Sequence, residues 1–163
     1  MSAKVFSAAL LGLEGNVVEV EADISRALAS FIIVGLPDKS VEESKERIRS
    51  GFKNSQLDFP RTKVTVNLAP ADLKKEGPSY DLPMAVAILA AEGRVNLSYR
   101  DANALYIGEL SLDGTLRSVN GVLSIALMAR DKGIKRVFVP AVNAAEAALV
   151  SGVEVMPVKS LVD

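Results

Sequence analysis

The sequence predicts an α+β fold built in α/β layers, with helices packed on a β-sheet. Three observations predict it. Strands alternate with helical segments through the second half of the 163 residues. KVTVNLA at 63–69 has strict period-two hydrophobicity, as a strand with one wetter face does. The segment from Asp81 to Ala91 is apolar most of the way round, so as a helix it must be covered on several sides. The length fits one domain, 1–163, and a globular chain of this size buries about 70% of its unfolded surface.

The elements follow in order. Residues 3–10 and NVVEVEA at 16–22 cluster or alternate β-branched residues and read as strands. ISRA at 24–27 is ambiguous in its local pattern. FIIVG at 31–35 is a short apolar strand that runs into the turn signal Gly35-Leu36-Pro37-Asp38. Ser40-Val41-Glu42-Glu43 has the S-x-x-E form of a capping box, so a helix is expected to about Lys53, with Val41, Ile48 and Phe52 on its buried stripe. PADLKKEGPSY at 70–80 is a loop punctuated by Pro and Gly. Asp81 is expected to cap the next helix, where Pro83 fits the first turn. ALYIGEL (104–110) and SLDGTLRSV (111–119) read as two strands joined by a hairpin turn at Asp113-Gly114. A helix over 121–132 stops at Gly133. RVFVP at 136–140 is a strand, 143–150 an Ala-rich helix, and VEVMPV at 153–158 the last strand.

Hydrophobic residues make up 49% and charged residues 24%, enough apolar surface to offset the entropy of ordering, so disorder is excluded for most of the chain. No apolar run reaches the roughly 18 residues of a membrane span. The start, MSAKVFSAALLGLEGN, lacks the layout of a signal peptide, and a cytoplasmic protein without membrane contact is expected. The chain has no Cys, which excludes disulfides, thiolate metal sites and Cys nucleophiles. It has no His, which excludes Ser-His-Asp catalysis and HExxH zinc sites. Ser, Lys, Tyr and carboxylates are left for acid–base or nucleophilic work.

Charge is unevenly spread. Residues 39–75 carry nine bases against five acids, while the segments on either side are net acidic. Such a basic stretch attracts phosphates, or is simply a solvated helix face with paired charges. Gly35-Leu36-Pro37-Asp38-Lys39-Ser40 is not a P-loop: it lacks the spacing and the second Gly, and Pro37 removes an N–H that a phosphate cradle would use. Three Tyr, five Phe and no Trp argue against a base-stacking platform as the main mode of nucleic-acid binding.

KKEGPSYDLPMAVAILAA (74–91) and IGELSLDGTLRSVNGVLSIALMARDKGIKRVFVP (107–140) each resemble the proteolytic domain of Lon-type proteases. That resemblance puts Ser79, in Gly77-Pro78-Ser79, at the nucleophile position. The Lys base of the Lon pattern lies four residues after a Gly-Gly pair; the pair here is Asn120-Gly121, and the base position holds Ile125. A butyl side chain cannot accept a proton, so the Ser-Lys dyad is broken at Ile125 and Ser79 is expected to be vestigial. Ser79 then ends a loop and helps to cap the next helix, and Ile125 joins Val122 and Ala129 in the core. The alternative is a Lon-type serine peptidase with a non-standard base, Lys74 or Lys75 folded back toward Ser79.

A closer resemblance covers the whole chain. SAALLGLEGNVVEVEADIS, FIIVGLPDKSVEESKERIRS and VNLAPADLKKEGPSYDLPMAVAIL are similar to the N-terminal domain of the ComM/YifB family, bacterial proteins related to the magnesium-chelatase ATPase subunit. This implies a Lon-protease-like fold of the ribosomal protein S5 domain 2-like type. It also implies a downstream AAA+ ATPase domain, absent from residues 1–163, that uses ATP and Mg and assembles as a hexamer. ComM members of the family act in DNA branch migration during natural transformation. For this chain the resemblance implies a non-catalytic scaffold, with DNA as a further partner through Lys45, Arg49, Lys53, Arg61, Lys74 and Lys75, all taken as exposed. A pure oligomerisation module is the remaining alternative. No cofactor or metal is expected in the chain itself.

Overall fold

The computed structural model describes residues 1–163. β1 (Ser2–Leu11) and β2 (Glu14–Ser25) form a long antiparallel hairpin in which Val5 faces Val20 and Ala8 faces Val17. β3 (Ser30–Val34) leads through α1 (Lys39–Asn54) to β4 (Lys63–Ala69), which lies parallel to β3 and antiparallel to β2. α2 (Asp81–Ala91) and the one-turn α3 (Tyr99–Ala102) precede β5 (Leu105–Tyr106), which pairs parallel to β1. β6 (Glu109–Leu110) and β7 (Leu116–Arg117) form a separate small hairpin. α4 (Val122–Asp131), β8 (Arg136–Pro140), α5 (Ala144–Ala147) and β9 (Glu154–Val158) complete the chain. The main sheet has seven strands in the order β3-β4-β2-β1-β5-β8-β9, parallel everywhere except at β1–β2 and β2–β4. The α+β layered fold predicted from the sequence is the one observed.

Period-two alternation in β1 divides the core between the two faces of this sheet. Val5 and Ala9 point to one face, where 24 buried residues include Val20, Val66, Ile48 and Phe52 of α1, and Met84 and Ile88 of α2. Ala8 points to the other, where a cluster of 12 includes Ile107, Val122, Ile125 and Ala129 of α4, and Val137 of β8. α2 is buried on nearly every side, as its composition demands.

The structure corrects several local expectations. The N-cap of α1 is Asp38, whose carboxylate accepts from Val41 N at 2.8 Å; Ser40 is already inside the helix. Asp81 does not cap α2, because its carboxylate is wholly buried and turned to α1 and β6. Ser79 does not cap α2 either: it lies in a 3₁₀ turn, Pro78–Tyr80, and α2 has no side-chain cap. ALYIGEL is not one strand, since the chain leaves the main sheet between Tyr106 and Glu109. The helix expected at 143–150 is a 3₁₀ turn, Ala141–Asn143, followed by the single turn of α5.

Candidate functional site

A cleft of about 330 Å³ opens where the ends of β1, α2 and α4 converge. Ser79 and Ile125, far apart in sequence, both line it, together with Lys74, Glu76 and Glu109. The Ser79 turn is held from below by backbone bonds. Gly108 N donates to Ser79 O at 2.9 Å, and Leu82 N donates to Gly108 O at 3.0 Å. Gly77 N donates to the Asp38 carboxylate at 3.1 Å, so the residue that caps α1 also anchors the loop before Ser79. On the opposite wall, α4 begins after Gly121, whose φ of 80° lies in the left-handed region and where a side chain would collide with Leu10. One turn on, Ile125 packs among the buried residues of α4 and presents its aliphatic surface to the cleft.

Asp81 is the main electrostatic feature beneath the site. Its carboxylate accepts from Ser44 Oγ at 2.5 Å, Arg47 Nε at 2.6 Å and Leu110 N at 3.0 Å. Arg47 also donates to Ser40 O at 2.7 Å. Burial pushes the Asp81 carboxyl above its ordinary range, against the pull of Arg47, Ser44 and the Leu110 N–H. The cluster ties α1, the start of α2 and β6 together, which fixes the position of the Ser79 turn. Sequence reasoning missed it. The trace available was Ser44-x-x-Arg47, two polar residues three apart on one helix face, but nothing in the sequence named Asp81 as their partner.

Of the two lysines near Ser79, Lys75 is engaged elsewhere and Lys74 stands at the cleft. Lys75 was expected to be exposed as a candidate DNA contact; it is fully buried, and its Nζ donates to Pro70 O. Its backbone bridges to the β3–α1 turn, with Lys75 N donating to Leu36 O and Asp38 N to Lys75 O, so the side chain is carried inward. Burial lowers its pKa. Lys74 is exposed, lies 3.7 Å from Glu76 and lines the cleft. General-base activation of a serine needs an acceptor within hydrogen-bond reach of its hydroxyl. The lysine nearest in sequence, Lys75, spends its amine on Pro70, and Ile125, the α4 residue that lines the same cleft, is aliphatic.

The remaining basic candidates lie outside the cleft. Lys45, Arg49 and Lys53 sit four residues apart on α1 and share one face. Lys45 pairs with Glu42 at 2.8 Å and Arg49 with Glu46 at 3.5 Å. Arg49 also lies over the rings of Phe31 and Phe59, at 5.6 and 5.7 Å from their centroids. Lys53 and Arg61 are exposed. No cluster of three or more acidic residues is placed to hold a metal ion. The β3–α1 turn does not suit a nucleotide phosphate, because the Asp38 carboxylate fills the N-terminus of α1.

Comparison with known proteins follows the same lines. A family model described as subunit ChlI of Mg-chelatase matches residues 20–143. Competence protein ComM of Haemophilus influenzae is 40% identical over 159 residues, 98% of this chain and 31% of that protein. A protein named YifB of Salmonella typhimurium is 45% identical over 147 residues, 90% of this chain and 29% of that protein. A Lon protease of Citrifermentans bemidjiense is 28% identical over 137 residues, 79% of this chain and 17% of the protease. The chain therefore spans less than a third of the length of its ComM and YifB relatives. It belongs to the family of subunit ChlI of Mg-chelatase, with ComM and YifB among its relatives.

Proposed function

We propose that this chain is the non-catalytic N-terminal domain of a bacterial ComM/YifB-type AAA+ ATPase, a scaffold for subunit assembly that also contacts DNA during branch migration in natural transformation. The observation that carries the reading is Ile125. An aliphatic side chain walls the cleft that Ser79 lines, at the position where the Lon pattern has its base. Similarity to ComM along nearly the whole chain supports the parent, and the greater length of that relative leaves room for an ATPase module outside residues 1–163. ATP and Mg then belong to that module. The partners are that module, neighbouring subunits of a hexamer, and DNA. The cytoplasm is the corresponding location; no helix is long and apolar enough to cross a membrane.

The DNA contacts are Lys45, Arg49, Lys53, Arg61 and Lys74. Phosphate contacts of this kind are indifferent to base sequence and weaken with salt. Fluorescence anisotropy with labelled single- and double-stranded DNA is expected to show binding at low ionic strength that fades as salt rises. No binding at low ionic strength removes DNA from the reading and leaves an assembly module alone.

A second reading rests on Lys74, which shares the cleft with Ser79: a Lon-type peptidase with an unusual base. A fluorophosphonate probe distinguishes the two. The scaffold reading expects equal background labelling of the wild type and Ser79→Ala, whereas labelling of the wild type alone establishes the peptidase.

A further inference from the structure

Three phenylalanines meet near the end of α1. Phe59, in the loop that leads to β4, stacks on Phe31 with ring centroids 5.2 Å apart and meets Phe52 edge-on at 5.5 Å. Phe31 and Phe52 are buried, and Phe59 is half-buried. The Arg49 guanidinium lies over both rings of the Phe31–Phe59 pair, yet its side chain stays 43% exposed. The rings thus hold a planar cation at the surface. Beside it is a pocket of about 330 Å³, lined by Arg49, Lys53, Gln56, Leu57, Asp58 and Phe59. The loop that forms it is fixed. Gln56 has a left-handed backbone with φ 59°, Leu57 N donates to Phe52 O at 2.8 Å, and Arg94 donates to Asp58 O at 2.6 Å. The Asp58 carboxylate itself makes no hydrogen bond within the chain, and Lys53 forms no ion pair. A surface that met phosphates alone would need cations, but neither a flat stacking face nor a carboxylate, which repels phosphate.

We propose that this pocket takes one unpaired nucleobase of single-stranded DNA. The inference rests on the DNA reading above and names what the end of the α1 face holds. The base stacks on the guanidinium of Arg49, whose plane serves for stacking while its N–H groups remain free for phosphate. Asp58 and Gln56 meet the Watson–Crick edge of the base. Every base carries an N–H donor there, and pairing in a duplex hides it, so the pocket selects unpaired bases of any identity. Lys53, at the pocket, and Arg61, two residues beyond Phe59, supply cations for the flanking phosphates. The small number of aromatic residues argued against a stacking platform. Here the flat surface is chiefly a guanidinium, which a count of Phe, Tyr and Trp does not register.

Fluorescence anisotropy of the 163-residue chain tests this with three labelled DNAs of equal length: a single strand, a single strand built of abasic residues, and a duplex. The intact strand is expected to bind about tenfold more tightly than the abasic one, the size of effect that one stacked base gives. Arg49→Lys keeps the charge and loses the plane. It is expected to bring the intact strand down to the abasic level, with duplex binding and the circular dichroism spectrum unchanged. Equal binding of intact and abasic strands, or an intact strand indifferent to Arg49→Lys, overturns the pocket while phosphate contact stands. Absence of binding to all three DNAs removes the DNA reading, and this proposal with it.

Discussion

Asp81, at the start of α2, accepts from donors on two other elements, α1 and β6, and its value is clearest in what its loss leaves behind. Asp81→Ala strands the Arg47 guanidinium, whose side chain is only 18% exposed, and removes the acceptor for Ser44 Oγ and Leu110 N. Leaving a buried charge without its partner costs about 3–5 kcal/mol. Urea denaturation is therefore expected to show a drop of that size, and a smaller one for Asp81→Asn, which keeps one oxygen acceptor. Lys75 gives a pH signature. Burial lowers its pKa in the folded chain, while the unfolded chain holds the proton up to the ordinary value of 10.5. Between those two values the unfolded state binds more protons, so folding stability rises with pH across that window. The stability of the wild type relative to Lys75→Met is expected to climb as pH rises toward 10.5, as read from denaturation midpoints. A flat difference would mean that the amine titrates alike in both states.

α1 shows how one element serves two purposes. Val41, Ile48 and Phe52 are buried in the larger core cluster, and Ser44 and Arg47 clamp Asp81, while Lys45, Arg49 and Lys53 form the basic outer face. Each phosphate contact contributes about −0.9 to the slope of log affinity against log salt. Replacing Arg49 and Lys53 with Gln is therefore expected to flatten that slope by about two units, as measured by anisotropy. The stability cost is expected to stay near the ~0.5–1 kcal/mol typical of an exposed cation–π contact, since Arg49 lies over Phe31 and Phe59. The buried stripe of α1 and its start near residue 40 were legible because hydrophobic period and capping chemistry are local. The identity of the cap was not, because Asp38 is selected partly by its bond to Gly77 N, 39 residues away. The break in ALYIGEL is likewise non-local. Gly108 leaves the ladder to bond Ser79 O and Leu82 N, and its lack of a side chain lets Leu82 and Leu116 close over it. α3 escaped notice because four residues are too few to show a helical period.

At the scale of the whole molecule, the layered fold, nearly every strand and the lack of His and Cys follow from the sequence by itself. So does the aliphatic residue at 125, because these are properties of composition, of period and of a position in a pattern. Tertiary structure alone decided which of them meet. The strand order β3-β4-β2-β1-β5-β8-β9 places three strands late in the chain, β5, β8 and β9, beyond β1, with β3 at the opposite edge. It sets Ser79 and Ile125 on one cleft, joins Arg47 to Asp81 and draws Lys75 out of solvent. The reason is physical: hydrophobic period tells a segment which face to bury but not against what. Partners across the fold are chosen by the joint packing and hydrogen-bond satisfaction of segments that are distant in the chain.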